Sequence, residues 1–196
     1  MQADRRTRLT PEQRRAQLVA LGVTALVDRP LEYLTSESLA ESAGVSRALL
    51  FHYFGTKQGL HREVVLTARD SMLRATEPSA ELPPLERLHE TLSRIVEFVR
   101  EHRETFFSLV RGAASGDQEV RDVVEQARSV HAERVIAVFH ELGTPDSELL
   151  RIALRSWVAF AEETLVEIAL NTEMPADEIV SFLERTAKAV ATSVNP

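Results

Sequence analysis

Among 196 residues there is no cysteine, so disulfides, thiolate nucleophiles and cysteine-bound zinc are all excluded. Glycine (7) and proline (8) are scarce, which favours long uninterrupted helices over many short strands. Long hydrophobic runs are missing as well. The most apolar stretch, 149–170, is broken by Arg151, Arg155, Glu162, Glu163 and Glu167 and does not read as a membrane span. The start, Met1-Gln2-Ala3-Asp4-Arg5-Arg6, is polar with no apolar segment behind it; no signal peptide is expected, and a cytoplasmic location is the plain reading. Common catalytic signatures are absent: no G-x-S-x-G, G-x-G-x-x-G, phosphate loop or H-E-x-x-H. The six histidines (52, 61, 89, 102, 131 and 140) include no i,i+3 or i,i+4 pair that could form a local helical metal site. Neither catalysis, nor a cofactor, nor a metal is expected.

What is present is apolar material for a sizeable core, 44% of the chain, and an uneven charge. The formal net charge is −7, yet residues 1–62 hold nine Lys/Arg against six Asp/Glu, and the remainder holds fourteen against twenty-four. A basic head on an acidic body permits nucleic-acid binding, because counterion release depends on the local field.

Apolar residues recur at helical spacing almost throughout, predicting about nine helices and no strand, an all-α fold. Thr10-Pro11-Glu12-Gln13 reads as a capping box with proline at the first helical position, and Arg29-Pro30 as the stop of that helix. A stripe through Leu60, Val64, Ala68 and Met72 follows a start at Thr56-Lys57. Residues 77–84 (EPSAELPP) are the clearest linker. Further stripes run through Leu85, Leu88, Leu92, Ile95 and Val99; Phe106, Leu109 and Val110; and Val120, Val124, Ala127, His131, Val135, Val138 and Leu142. Ser115-Gly116-Asp117, Gly143-Thr144-Pro145-Asp146 and Met174-Pro175 are breaks. The last stripe is Ile179, Phe182, Leu183, Thr186 and Val190.

The segment 34–54 carries the functional signal. Thr35 can cap a helix with an apolar face of Leu39, Ala40 and Ala43, and Gly44 sits where a left-handed residue would end it. Val45 can plug the gap, Ser46 can cap the next helix, and that helix turns Leu50 and Phe54 inward and Arg47, Ala48, Leu49, His52 and Tyr53 outward. Spacing alone fits either an ordinary helical hairpin or a helix-turn-helix whose second helix enters the major groove. Residues 51–60 then run straight into a new helix, where Thr56, free amides and Lys57 form an anion site suited to a phosphate.

Leu39-Ala40-x-x-Ala43-Gly44-Val45-Ser46 followed by Leu50-Phe51-His52-Tyr53-Phe54-x-x-Lys57-x-x-Leu60 resembles the signature of the tetracycline-repressor-like (TetR) regulators, over roughly residues 10–62. The resemblance implies a helix-turn-helix DNA-binding head at 1–62 with a basic amino-terminal arm, and a helical effector-binding and dimerisation body at 63–196. It implies that Ser36 and Ser46 meet phosphates, Arg47 a base edge, Leu49 a thymine methyl, His52 and Tyr53 phosphate or sugar, and Lys57 phosphate. Three positions depart from the pattern: Phe51 replaces a usual Tyr, Leu49 a small or polar residue, and Glu37 puts an acid in the first turn of the leading helix. Asp4-Arg5-Arg6-Thr7-Arg8 reads either as an arm on the phosphates or minor groove, or as a solvated terminus.

For the body, the resemblance implies a homodimer through the last two helices and a pocket for a small apolar or amphipathic effector that releases a repressor from double-stranded operator DNA. Phe98, Phe106, Phe107, Phe139 and Trp157 are either core or pocket aromatics. His131 lies on an apolar stripe, as a hydrogen-bonded core histidine or a ligand contact. Glu162, with Arg155 and Glu163, is either solvated or a polar ligand contact. The competing expectations are a DNA-binding regulator or architectural protein with no ligand, and an activator.

Overall fold

The computed structural model describes residues 9–27, 30–112 and 117–194. The basic segment Asp4-Arg5-Arg6-Thr7-Arg8, Arg29 and Ser115-Gly116 lie outside this set, as does the side chain of Leu109. Among the described residues there are nine α-helices and no strand: α1 (Pro11–Ala25), α2 (Ser36–Ala43), α3 (Arg47–Phe54), α4 (Lys57–Ala75), α5 (Pro84–Glu101), α6 (Arg103–Gly112), α7 (Gln118–Glu141), α8 (Glu148–Asn171) and α9 (Ala176–Ser193). The all-α expectation holds.

Local chemistry sets most boundaries. The Thr10 hydroxyl accepts the Gln13 amide at 3.2 Å and the Gln13 side chain accepts the Thr10 amide at 2.9 Å, the reciprocal capping box. α1 closes at Ala25, ahead of the expected Arg29-Pro30 stop, and a 3-10 turn at Leu31–Tyr33 that the periodicity does not announce fills part of the gap. Thr35 and Ser38 cap α2 reciprocally, Gly44 ends it with φ +64°, and Ser46 caps α3.

The α3–α4 corner is tighter than an ordinary loop. Gly55 has φ +68° and ψ −53°, and the Thr56 amide donates to the Phe54 carbonyl at 2.7 Å, which makes a γ-turn. An L side chain rarely adopts that backbone. The same Phe54 carbonyl points at Gly59, where an added Cβ would lie 2.3 Å from the oxygen. The turn therefore requires one glycine for its dihedrals and a second for the close approach.

The core follows the stripes with a few shifts. Leu60, Val64, Ala68 and Met72 of α4 are all buried, as are Leu88, Leu92 and Val99 of α5. Leu85 is exposed and Val96 takes a core place on α5, while Leu142 is exposed because it falls past the last turn of α7. On α9, Ile179 and Leu183 are buried, and Phe182 packs its ring 6.0 Å from Phe160. Trp157 of α8 donates to the Thr186 hydroxyl of α9 at 2.9 Å, joining the last two helices. On the outside of α8, Leu149, Ile152 and Phe160 remain 58%, 52% and 43% exposed.

α4 packs on α1 and lies along α7 from Arg62, beside Glu119, to its last turn, and position 62 falls inside one continuous helix. Arg69 donates to Gln126 of α7 at 2.6 Å, and Arg134 of α7 donates to the Leu73 and Thr76 carbonyls at 3.0 Å each. Head and body thus share α4.

Substituting Gly59→Ala should lower unfolding stability by about 1–3 kcal/mol despite alanine's better helix propensity, because the added methyl displaces a backbone carbonyl. Urea unfolding of the two proteins checks this; equal or greater stability in the variant would show that the corner is looser than described.

Candidate nucleic-acid interface and buried cavity

The helix-turn-helix presents its face through caps rather than through long-range packing. Leu39, Ala40 and Leu50 are buried, and Val45 packs on the core from the turn. That fixes the phase of α3, and Arg47, Ala48, Phe51 and His52 come out exposed. Leu49 and Tyr53, expected to face outward, are half-buried; Tyr53 packs on the core and meets His52 edge-on at 5.4 Å. Phe54, expected inward, is half-buried beneath the Arg15 guanidinium, 5.5 Å above its ring. Phe51, the position without its usual hydroxyl, is exposed.

Ser36 opens α2 and is half-buried; Ser46, exposed, spends its hydroxyl on the Leu49 amide at 3.2 Å. Arg47 reaches back to Glu37 across 3.5 Å. Both members of that pair are exposed, so water screens it and it holds Arg47 weakly. Thr56 caps α4 by accepting the Gly59 amide at 2.9 Å, which leaves the Lys57 and Gln58 amides without a partner among the described residues. Two free amides at the positive end of a 19-residue helix could receive an anion. The Lys57 ammonium beside them donates to the Glu32 carbonyl of the 3-10 turn at 3.2 Å and has further donors to spare.

His61, which the sequence reading did not single out, ties α4 to the head from below. Its Nε2 lies 2.7 Å from the Leu34 carbonyl and must donate, since a carbonyl only accepts. Burial pushes its pKa down, more strongly than that hydrogen bond raises it.

In the body, a cavity of about 70 Å³ lies between α4, α5, α6, α7 and α8. Of the candidate ligand residues, Phe106, His131, Trp157 and Glu162 line it. Phe98, Phe107 and Phe139 do not. Phe98 turns against His102, with ring centroids 4.6 Å apart, Phe107 packs on the core, and Phe139 is buried towards the α7–α8 turn. Arg155 and Glu163 are exposed, whereas Glu162 is largely buried and accepts from Arg128 at 2.7 Å. Burial nevertheless raises the Glu162 pKa, against the pull of Arg128.

Arg87, Thr91 and Arg134 are polar lining residues that sequence reasoning missed, although the place of Arg134 three residues after His131 on one helical face was readable. Burial lowers the Arg134 pKa. The His131 pKa is lowered to about 4, first by burial and then by the Arg134 charge, so the ring is neutral near pH 7.

A helix-turn-helix head with a ready anion seat, joined by one helix to an all-α body, defines a DNA-binding protein of the transcription-regulator class. Comparisons with known proteins agree. Residues 18–64 match the bacterial regulatory proteins of the tetR family, and residues 84–190 match the tetracyclin repressor-like C-terminal domain. The chain belongs to the TetR family of DNA-binding helix-turn-helix transcriptional regulators.

The HTH-type transcriptional regulator YxbF of Bacillus subtilis (strain 168) is 27% identical over 119 residues, covering 59% of this chain and 31% of that protein. The chain thus spans under a third of that relative's length. A tetR-family transcriptional regulator from Streptomyces coelicolor shares the fold with a TM-score of 0.82 at 24% identity, covering 95% of this chain and 85% of the other. A TetR-like transcriptional regulator from Rhodococcus sp. RHA1 gives 0.70 at 21% identity, with coverage of 96% and 100%.

The depressed His131 pKa has a consequence for stability. Between about pH 6.5 and 4 the unfolded chain binds a proton at this residue that the folded chain refuses. Its contribution is complete above pH 6.5 and is lost as pH falls towards 4, about 3 kcal/mol in all. His61 acts in the same direction and Glu162 in the opposite one. Urea unfolding at neutral and acid pH should therefore show the wild type losing about 3 kcal/mol more than His131→Phe; parallel losses would place the ring in contact with water.

Proposed function

We propose that this regulator is a repressor that binds double-stranded operator DNA as a homodimer and is released by a small apolar or amphipathic effector. The observation that carries this reading is the course of α4, which starts at the anion seat beside α3 and ends at the wall of the body cavity. Ser36, Ser46, His52, Tyr53, Thr56 and Lys57 hold phosphate and sugar, and Arg47 reads a base edge. Leu49 touches a thymine methyl with what remains exposed of its side chain. The dimer forms through α8 and α9, where the outward Leu149, Ile152 and Phe160 supply an apolar stripe for a second copy. Such a dimer, working in the cytoplasm on its operator, holds two recognition helices at the spacing of successive half-sites.

An effector favours a body conformer in which α4 is tilted and the heads are respaced. A coupling of about 1–3 kcal/mol corresponds to a shift of roughly 5–150-fold in operator affinity. A DNA-binding regulator that takes no ligand is the competing reading, supported by a cavity of about 70 Å³ where ligand pockets usually measure about 300–1,000 Å³. Operator position, rather than the chain, separates repressor from activator.

Titrating a selected operator at several salt concentrations tests the docking. Arg47→Ala should relax preference at one base position by about 1–3 kcal/mol, and Lys57→Ala should weaken all sequences alike and flatten the salt slope by about one. Glu37→Gln, which frees Arg47 and removes a like charge from the phosphates, should change affinity in the opposite direction. Equal affinities for all four proteins would contradict the proposed contacts.

A further inference from the structure

The polar groups around the body cavity are unequally committed. Its walls are mostly apolar, with Leu88, Leu92, Val135, Val158 and Leu165 around Trp157. Arg87 is paired with Glu141 at 2.5 Å, the Thr91 hydroxyl donates to the Arg87 carbonyl at 2.7 Å, and Glu162 is held by Arg128. His131 is half-buried and has no hydrogen-bond partner among the described residues. Arg134, on the same face of α7, donates only to neutral oxygens: the carbonyls of Leu73 and Thr76 and the Thr76 hydroxyl. Glu77 is near enough to be felt by its charge, but no carboxylate touches the guanidinium among the described residues. The cavity therefore offers one cation without a contacting counter-ion and one ring without a partner.

We infer that this cavity takes a small apolar monocarboxylate, whose carboxylate meets His131 and draws the Arg134 guanidinium off the last turn of α4. The inference rests on the effector-release reading above and names both the ligand class and the latch. A cationic ligand would face Arg134 and Arg87, with the one lining acid already paired. A neutral ligand would partner His131 and leave the guanidinium charge as it stands. A carboxylate accepts two parallel bonds from a guanidinium, and charge-assisted bonds outcompete those to carbonyls.

The cost falls on α4. Arg134 satisfies carbonyls at the helix end that have no partner within the helix, and it places a cation at the negative pole of the dipole. Thr76 is fully buried, so water does not readily replace the lost donor. When Arg134 turns to the ligand, the last turn of α4 loosens, and α4 is the helix whose first turn seats the phosphate. The size of the space favours short acids: about 70 Å³ is under half the roughly 150 Å³ of an apolar cavity known to admit benzene.

The test titrates the full-length, DNA-free protein with propionate, butyrate, hexanoate and benzoate, each against its own amide, by calorimetry. At least one acid should bind roughly tenfold or more tightly than its amide. Hydrogen exchange at residues 73–77 should speed up on binding. Arg134→Gln should abolish the preference for acid, and His131→Phe, which keeps the latch, should reduce it several-fold. Equal binding of acid and amide, no binding by any acid, or acid binding without faster exchange at the end of α4 overturns the inference. Operator affinity of the ligand-free protein, measured in parallel, separates the two readings: intact DNA binding with no acid response removes only this one.

Discussion

Hydrogen bonds from two different parts of the molecule pin the two ends of α4. At its start, Thr56 caps the helix, the Gly55 turn fixes its direction, and Lys57 and His61 hold the carbonyls of Glu32 and Leu34. At its end, Arg134 holds the carbonyls of Leu73 and Thr76, with Arg69 reaching Gln126 one turn earlier. Nineteen residues of helix make a rod of about 28 Å. A helix buried along one side behaves as a stiff body, so a change at one end is expressed at the other as a change of angle. In the proposed function, α4 is the lever that links the position of α3 to the state of the cavity.

The recognition surface has the opposite character. Its backbone is rigidly specified by caps and two glycines, whereas Arg47, Phe51, His52 and Lys57 are exposed. The Glu37–Arg47 pair is weak enough in water to yield to a base or phosphate, so Glu37 acts mainly as a local negative charge. The Lys57 and Gln58 amides and the Lys57 ammonium are features of the helix start, independent of the net charge of the chain.

How much of this was legible in the sequence follows from the range of each interaction. The caps at Thr10, Thr35 and Ser46 and the stop at Gly44 are made by near neighbours in the chain, and the letters alone placed them; Thr56 was legible as a helix start, and its cap on the Gly59 amide came from the structure. The Gly55–Gly59 pair was visible as composition but not as geometry, since the γ-turn is evident only once the Phe54 carbonyl has a direction. Lys57 was legible as a cation near a helix start, yet its carbonyl partner 25 positions away was not. The aromatic candidates show the limit most clearly. Periodicity puts Phe98, Phe106 and Phe139 on apolar faces but cannot say which neighbour each face meets, and only Phe106 turned to the cavity. Arg134 escaped notice because a lone arginine on a helix reads as solvated until its partners, 58 and 61 positions back, are known.

The absence of cysteine makes the lever directly measurable. Ala48→Cys puts a single spin label on the exposed side of α3, and in the proposed dimer pulsed dipolar spectroscopy then reads the distance between the two heads. With Arg134 in place, the distances should be narrow and near one turn of DNA, about 34–36 Å, or a multiple of it. With Arg134→Gln in the same background they should broaden and shift while the protein stays folded and dimeric. The same narrow distribution in both proteins would contradict control of the heads through the end of α4.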